Sequence, residues 1–371
     1  MKVLHICNDY LGSSVYKELY SRLDRNHIEQ IVFCPTRKTN IKDNNLLIFN
    51  EPSSRFVFSM PIKKYHRIFF NLKIKYLFKE LVRQVDFTAV DLIHATTFFS
   101  DGAIALKQKT CFGVPYIVNV RSTDVDIFLK YRPDLYPMAI KILENAKAVV
   151  FVSEVLKRKF EQYKVFKSVL SKFQNKFSVI VNGVNQECLE NIESKKVIDR
   201  PSKIIYVGSF IKRKGLDKLI HAVAQLRKQD NPELRLTIVG GKGDKEEEYL
   251  EIINSHSEFV NYKGLIKEKS SLIKEYRNNH IFAMPSYNET FGLVYVEALS
   301  QGLPILMGRN EAIDGMLDNV GETVDPHSIT SIKMGLKKLI DNYSQYYIDP
   351  SIVSTFNWDS IAQKYMALYE P

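Results

Sequence analysis

The sequence predicts an α/β protein of two domains, each built on a parallel β-sheet with helices on both faces. Short apolar runs alternate with segments of helical periodicity along the chain, a pattern typical of parallel sheets that helices cover on both sides. From Asn182 to about Pro201 the alternation gives way to a polar stretch, interpreted as the interdomain connection. With 371 residues and 45% hydrophobic content, the chain is long enough for two cores.

The elements follow from these runs in chain order. In the first half, the predicted strands are 2–7, 30–34, 45–50, 91–97, 116–121, 148–153 and 178–183, and the predicted helices are 13–24, 62–84, 100–110, 135–146 and 153–162. In the second half, strands are predicted at 203–208, 234–240, 259–264, 281–286, 304–308 and 322–326, with helices at 215–228, 245–254, 268–277 and 292–301. One more amphipathic helix is predicted at 356–370.

Composition narrows the class of protein. The formal net charge is +10, with lysine and arginine concentrated in residues 55–85 and 155–176, which suits an anionic lipid surface or nucleic acid. We find no helix-turn-helix, zinc-finger or aromatic-basic RNA signature, so no nucleic-acid partner is expected. The four cysteines lie far apart, which argues against a zinc site or disulfide framework and suits a reducing cytoplasm. No apolar run approaches the roughly 18 residues of a membrane span, and the N-terminal run is too short for a signal peptide.

The most informative stretch is 281–308. Between Glu289 and Arg309 it holds one charged residue, Glu297, within an apolar helix, where an ionised carboxylate is costly unless something satisfies it. Glu289 stands just before the start of that helix, where unpaired backbone N–H groups attract anions. These two carboxylates predict a site for a polyol and a phosphate.

Polar residues also follow three predicted strands of the first half. Asn8 and Asp9 with the loop 12–14 follow the first strand, Thr96 and Thr97 follow the fourth, and 121–124 follows the fifth. Because open α/β sheets bind ligands at the carboxyl ends of their strands, these residues predict a second part of the site.

At this point the sequence resembles a known family. The segment PSYNETFGLVYVEALSQGLPI (285–305) resembles the E-x7-E signature of the retaining GT-B glycosyltransferases of family four. Further segments are similar at family distances: MKVLHIC at the N-terminus, AKAVVFVSEVLKR (146–158), VNGVN (181–185), YVGSFIKRKGLDKLIHA (206–222), LTIVGG (236–241), VNYKGLI (260–266) and NWDSIAQKY (357–365). The resemblance implies a GT-B fold: two Rossmann-like domains with a cleft between them and a C-terminal helix that crosses back to the first. The implied divisions are an acceptor-binding domain at 1–185, a nucleotide-sugar donor domain at 186–350, and the helix region at 351–371.

The resemblance also implies roles in donor binding. Glu289 would accept hydrogen bonds from the donor sugar and Glu297 from the ribose, while Lys214 with Arg213 would neutralise the diphosphate without a metal or other cofactor. Further implied donor-site residues are Thr290, Phe291, Gly292, Leu293, Gly208, Ser209, Gly240, and Leu265 with Ile266 beside the base. The alternative is structural: Glu289 caps the helix, Glu297 pairs with an internal lysine, and Lys214 and Arg213 are solvated.

The chain departs from the family pattern at several positions. Ser209 follows Gly208 where many members carry Arg, and Arg121 in VNVRSTDVD (118–126) stands where many members have a His that the resemblance assigns to contact with the donor sugar. An Arg brings a fixed charge in place of a tunable imidazole; we keep Arg121 as a catalytic candidate. Acceptor-binding candidates are Gly12, Ser13, Thr97 and Asp124, and residues 309–311 are donor candidates of lower rank. His94 is interpreted as a core histidine.

The basic stretch 62–84 carries Ile62, Tyr65, Phe69, Leu72 and Tyr76 at helical spacing, with Lys or Arg around them at 63, 64, 67, 73, 75 and 79. It predicts either contact with an anionic membrane surface or an ordinary sheet-packing helix with a solvated face.

Together these features predict an enzyme that moves a sugar from a nucleotide-diphosphate donor to a glycan or lipid-linked saccharide with retention. A UDP-sugar is favoured over a GDP-sugar, and bacterial surface polysaccharide synthesis is the expected setting, in the cytoplasm or on the inner face of its membrane. The alternatives are a sugar-nucleotide epimerase of the same fold and a non-catalytic partner that binds glycan or nucleotide.

Overall fold

The computed structural model describes residues 1–37 and 45–370. The chain forms two compact units: unit 1 comprises 1–182 together with 358–371, and unit 2 comprises 183–357. The divisions expected from the sequence lie at 185/186 and 350/351, a few residues from these boundaries.

The helices and strands of the described residues follow in chain order. Unit 1 begins with β1 (Lys2–Ile6), α1 (Ser14–Arg25), β2 (Glu29–Cys34), β3 (Arg55–Phe58), α2 (Phe70–Val82), β4 (Leu92–Ala95), α3 (Ser100–Phe112), β5 (Tyr116–Val120), α4 (Tyr136–Asn145), β6 (Ala148–Phe151), α5 (Glu154–Glu161) and β7 (Phe177–Val179). Unit 2 contains α6 (Gln186–Glu190), β8 (Lys203–Ser209), α7 (Leu216–Gln229), β9 (Arg235–Gly241), α8 (Glu246–Asn254), β10 (Val260–Tyr262), α9 (Lys269–Arg277), β11 (Ile281–Met284), α10 (Leu293–Ser300), β12 (Ile305–Gly308), β13 (Gly321–Val324), α11 (Ile329–Asp341) and α12 (Pro350–Ser354). The last helix, α13 (Trp358–Tyr369), belongs to unit 1.

Each unit is built on one parallel sheet. Over the described residues, unit 1 has the strand order β3-β2-β1-β4-β5-β6-β7 and unit 2 the order β10-β9-β8-β11-β12-β13. In both sheets the order reverses direction beside the first strand, between β1 and β4 and between β8 and β11. Loops leave the carboxyl ends of those two strands toward opposite sides there, which opens a crevice for ligands. The predicted fold class, two Rossmann-like α/β domains, is confirmed.

Alternation along the strands divides the core of unit 1 between the two faces of its sheet. Leu4 and Ile6 of β1 face the cluster formed with α2 to α5, and Val3 and Cys7 face the cluster formed with α1 and α13. Side chains two residues apart lie on the same face of a strand, so a fully apolar strand feeds both layers. This explains why these strands are continuous apolar runs in the sequence.

Two predicted elements are wrong. The apolar run 45–50 is not a strand; the third strand of unit 1 is β3, which pairs with β2 from Ile31 opposite Arg55. The predicted helix 62–84 is divided into a 3-10 turn at Lys64–Arg67 and the helix α2. The helix α11 is absent from the predicted elements, although it packs on α7 and carries the buried residues Ile332, Leu336 and Leu339. Within the described ranges, no helix has the length and apolar content that a membrane crossing requires.

Candidate functional site

The candidate site of unit 2 lies where β8 and β11 end, beside the point at which the strand order reverses. These neighbouring parallel strands lead into two loops, and backbone Tyr287 N donates to Arg213 O at 2.9 Å between the loops. The loops bring Arg213, Lys214 and Glu289 together although about 75 residues separate the cations from the carboxylate in sequence.

Both cations contact the same carboxylate oxygen of Glu289. Lys214 Nζ and Arg213 Nη1 both donate to Glu289 Oε2, the latter at 3.3 Å. The Lys214 and Glu289 side chains are only 12% and 10% exposed, so this pair is screened far less than a surface salt bridge. Burial lowers the pKa of Lys214, and the nearby Glu289 carboxylate opposes that shift. The site therefore holds two cations beside one partly buried carboxylate.

Two non-glycine residues close to Glu289 adopt the left-handed backbone conformation. Asn288 has φ 54° and Ala312, in the loop after β12, has φ 52°; non-glycine residues with such values cluster at functional sites. Glu289 N donates to Glu311 Oε2 at 2.9 Å. Glu311, a lower-ranked candidate in the sequence, therefore anchors the loop that presents Glu289.

Gly292 begins the helix α10 from the left-handed region, with φ 74°. A Cβ there would lie 2.5 Å from the Tyr295 ring, so no other residue fits without displacement. Tyr295 is held in turn, since its hydroxyl donates to Met284 O at 2.6 Å. The start of α10 is thereby fixed next to the charge cluster.

Glu297 is satisfied within unit 2. The residue is 6% exposed, and its carboxylate accepts from Lys269 Nζ at 2.5 Å and from Tyr276 Oη at 3.3 Å. These contacts agree with the structural alternative for Glu297, in which it pairs with an internal lysine. Lys269 and Tyr276 are not among the residues identified from the sequence; their only signal is a position on the predicted helix 268–277.

The other donor-binding candidates of unit 2 differ in how exposed their side chains are. A Cβ at Gly240 would lie 1.9 Å from Gly208 O, so β8 and β9 approach closely at their carboxyl ends. Ser209 is exposed at the end of β8, and Leu265 is 49% exposed. Phe291 is 1% exposed and packs beside Phe356, which leaves its backbone as the part near the site. Thr290, Leu293 and Ile266 are half-buried.

In unit 1, Asp124 is a structural residue, which corrects its assignment as an acceptor-binding candidate. It is 1% exposed, and its carboxylate accepts from the backbone N–H groups of Phe98, Phe99 and Arg121 at 2.9–3.0 Å. The amides of Phe98 and Phe99 lie at the N-terminus of α3, where unpaired donors need a cap. A carboxylate enclosed in this way does not reach an acceptor.

The remaining unit 1 candidates lie around the ends of β1, β4 and β5. Arg121 Nε donates to Thr96 O at 3.2 Å and its guanidinium carbon lies 5.4 Å from the centre of the Tyr16 ring. Ser13 caps α1 by accepting from Val15 N, and a Cβ at Gly12 would lie 2.7 Å from an Asp9 carboxylate oxygen.

Thr97 belongs to a small hydrogen-bond network that includes Asp101, a residue that the sequence patterns do not single out. Asn8 Nδ2 donates to Thr97 Oγ1 at 3.1 Å and to Asp101 Oδ1 at 2.9 Å. Asp101 has no exposed surface, and burial raises its pKa to about 6. The network orients Asn8 and Thr97 at the carboxyl edge of the sheet.

His94 is a hydrogen-bonded core residue. Its ring nitrogens contact Tyr369 Oη at 2.9 Å and Asn119 Oδ1 at 3.1 Å, and Asn119 Nδ2 donates to Tyr365 Oη at 2.9 Å. This network attaches α13 to β4 and β5. Burial lowers the pKa of His94 to about 3, so the ring is neutral at ordinary pH.

Comparison with family models covers most of the chain. Residues 12–187 match the model described as Glycosyltransferase Family 4, and residues 189–348 match the model described as Glycosyl transferases group 1. The chain belongs to the GT-B glycosyltransferase superfamily of group 1 and family 4. Membership supports a transferase and confirms the resemblance at this level. Among the described residues, no group of three or more His, Cys, Asp or Glu side chains is placed to hold a metal ion.

Individual curated proteins and solved structures are also similar to this chain. An uncharacterized 41.2 kDa protein in the cps region of Klebsiella pneumoniae is 26% identical over 89% of this chain and 90% of its own length. Sucrose-phosphate synthase from Thermosynechococcus elongatus has a TM-score of 0.73 at 18% identity, covering 100% of this chain and 98% of its own. HepE from Anabaena, in complex with UDP, has a TM-score of 0.72 at 15% identity over 99% of both chains. At these identities the two structures show the fold, and the GT-B expectation is confirmed.

Proposed function

We propose that this glycosyltransferase moves a sugar from a nucleotide-diphosphate donor, a UDP-sugar in preference to a GDP-sugar, to a glycan or lipid-linked saccharide acceptor with retention of configuration. The observation that carries the proposal is the convergence of Lys214 and Arg213 on Glu289 at the N-terminus of α10. The setting we propose is synthesis of a bacterial surface polysaccharide, which the relative from the cps region supports.

The charge cluster suits a diphosphate leaving group. When the bond between the sugar C1 and the diphosphate breaks, negative charge accumulates on the β-phosphate, and preorganised cations stabilise it. Lys214 and Arg213 supply two positive charges next to backbone N–H groups at a helix start, an arrangement that favours phosphate. The acceptor hydroxyl forms the new bond to C1, and its proton passes to the departing phosphate.

Glu289 suits the sugar. A carboxylate offers about four acceptor positions, and the two cations approach a single oxygen, Oε2. Hydrogen bonds from hydroxyls to a charged acceptor contribute roughly 1.5–3 kcal/mol each. For Glu297, the ribose is the proposed partner; its hydroxyls would join the contacts from Lys269 and Tyr276. The UDP complex of the structurally similar HepE supports a uridine nucleotide as the first choice.

The experiment that tests the proposal is a panel of UDP-, GDP- and ADP-sugars, scored by thermal shift and by slow hydrolysis of the donor. We expect a UDP-sugar to raise the melting temperature and to be hydrolysed, and Glu289→Gln to reduce hydrolysis by about one to two powers of ten. The matched control is Glu322→Gln in β13, whose carboxylate pairs with Lys338 outside the site. A flat response across the panel would contradict the proposal.

The same incubation separates the alternative activities. An epimerase would convert the UDP-sugar to its epimer without an acceptor, which product analysis detects. A non-catalytic partner would bind nucleotide, yet Glu289→Gln would leave any donor turnover unchanged.

A further inference from the structure

We infer that unit 1 docks on an anionic phospholipid bilayer through a surface assembled from two separate segments. This docking surface consists of Tyr65, Ile68, Phe69, Leu72, Ile127 and Tyr131, whose side chains are 47–72% exposed. Large exposed apolar patches on a protein mark interaction sites, whereas scattered single residues do not. The inference is independent of the transfer reaction proposed above.

Ring contacts of the buried Phe70 join the two segments. The Phe70 ring lies 5.7 Å from the Phe128 ring, and the Arg132 guanidinium carbon lies 6.0 Å from the centre of the Phe70 ring. Phe70 follows Phe69 in sequence, and Phe128 follows Ile127. The exposed apolar side chains of 65–72 and 127–131 therefore flank one shared contact.

The helix α2 shows why these residues remain outside the core. Its buried stripe is formed by Phe70, Ile74, Leu77 and Leu81, which recur at the spacing of one helical face. Leu72, Lys75 and Lys79 lie on the other side, and all three are exposed. The helix thus packs on unit 1 through one face and presents a leucine and two lysines on the other, while Tyr65, Ile68 and Phe69 extend the apolar surface before it.

Charge decides which partner fits this surface. Lysines with solvent-accessible side chains accompany the apolar residues at 63, 64, 75, 79 and 130. On the second segment, Asp134 is paired with Arg132 at 2.7 Å, and Asp126 is half-buried. Apolar side chains ringed by lysines match an interface where headgroups are negative and acyl chains lie beneath, and each lysine near such a surface contributes roughly 1 kcal/mol.

The test is co-sedimentation of the full chain with vesicles of phosphatidylcholine alone or mixed with phosphatidylglycerol. We expect binding to the mixed vesicles, little binding to phosphatidylcholine, and weaker binding when salt rises from about 0.1 M to about 1 M, because the screening length falls from about 10 Å to about 3 Å. Equal binding to both vesicle types, or binding to neither, would overturn the inference.

Two pairs of variants separate the apolar and charged contributions. Ile68→Ser with Phe69→Ser, which leaves the charge unchanged, is expected to weaken binding at least about tenfold, while Met334→Ser, at a 64% exposed site on α11 of unit 2, is expected to leave it unchanged. Lys63→Glu with Lys64→Glu is expected to weaken binding at least about tenfold. Its control with the same net charge is Lys228→Glu with Lys364→Glu, at exposed positions on α7 and α13. Variants of the docking surface that bind like the parent would overturn the inference.

A second copy of the chain is the competing occupant. If sedimentation velocity detects a dimer that Ile68→Glu dissociates, and vesicles capture none of the protein, then the surface is a dimer interface and the bilayer is excluded. We expect instead that Ile68→Glu leaves the sedimentation coefficient of the lipid-free protein unchanged.

Discussion

The carboxylate of Glu289 accepts from two cations, Lys214 and Arg213, at one oxygen. A carboxylate that is 10% exposed loses much of its hydration, and removing one partner of such a buried pair is far more costly than removing a surface salt bridge. In the free protein Lys214 and Arg213 neutralise Glu289. Under the proposed function, a bound diphosphate would compete for the same cations, and donor binding would then redistribute these contacts.

Lys214 can be tested separately from the fold. We expect Lys214→Gln to lower donor hydrolysis roughly 10²-fold, the usual effect of removing one preorganised group that stabilises developing negative charge. The matched control is Lys212→Gln, because Lys212 lies in the same 3-10 turn and is exposed; its turnover should stay within about twofold of the parent. Equal losses in the two variants would mean that the positive charge acts only at long range.

Because His94 is buried, we expect the folded chain to lose stability against unfolding in acid. Its pKa is about 3 in the folded chain because of burial, against about 6.5 when exposed. Protonation therefore favours the unfolded state: the stability contributed by neutral His94 is fully present above about pH 6.5 and is lost as the pH falls toward 3.

Urea unfolding at about pH 7 and pH 5 measures this contribution, which we expect to be about 2 kcal/mol over that interval. His94→Gln should lose about that much less stability between the two pH values. His221→Gln, at an exposed site on α7, should retain the pH dependence of the parent. His5, whose ring lies 5.4 Å from that of His94, also has a pKa lowered by burial, so part of the acid effect persists in His94→Gln.

At the scale of elements, the start of α10 depends on a glycine for two separable reasons, conformation and space. We expect Gly292→Ala to destabilise the chain by more than about 2 kcal/mol, since φ 74° is unfavourable for alanine and the added Cβ would lie 2.5 Å from the Tyr295 ring. Gly113→Ala measures the conformational cost alone. Gly113 ends α3 with φ 78°, and a Cβ added there would have nothing within 4 Å, so the cost should be only about 1 kcal/mol.

Thermal or urea unfolding compares these two variants. Equal costs would show that Tyr295 moves aside without penalty, and the proposed rigidity of the site would then be wrong.

The elements also show what the sequence can predict. Strands such as β1 and β8 are identifiable because both faces of each sheet are covered, which makes them continuous apolar runs. The run 45–50 is equally apolar, but β2 pairs instead with Arg55–Phe58, and strand pairing is a nonlocal choice that a short run does not encode. The helix α11 escapes prediction although its apolar spacing is regular.

The site is predictable where one segment carries the pattern and not where distant segments meet. Glu289 and Glu297 are identified as candidates because a charge in or beside an apolar helix is conspicuous in the sequence. Lys269, Tyr276 and Asp101 are missed because a pairing with a distant part of the chain has no local signature. Asp124 receives the wrong role since a buried helix cap and a ligand-binding carboxylate are the same residue type at the end of a strand.

At the scale of the whole molecule, the two units have separate sheets, and one chromophore reports on only one of them. Trp358 is the single tryptophan of the chain; it is 3% exposed and packs in the core of unit 1 with α1 and other residues of α13. Tryptophan fluorescence should therefore follow the unfolding of unit 1, while far-UV circular dichroism follows both units.

Two tyrosine variants use this difference. Tyr365→Phe removes the acceptor of Asn119 Nδ2 in unit 1, and an unsatisfied buried group costs about 1–3 kcal/mol, so the fluorescence transition should move to lower urea. Tyr276→Phe removes a donor to Glu297 in unit 2; it should shift part of the circular dichroism transition and leave the fluorescence midpoint in place. If both variants shift the fluorescence midpoint equally, the two units unfold as one cooperative body. A loss of stability in either unit would then shift the unfolding transition that Trp358 fluorescence reports.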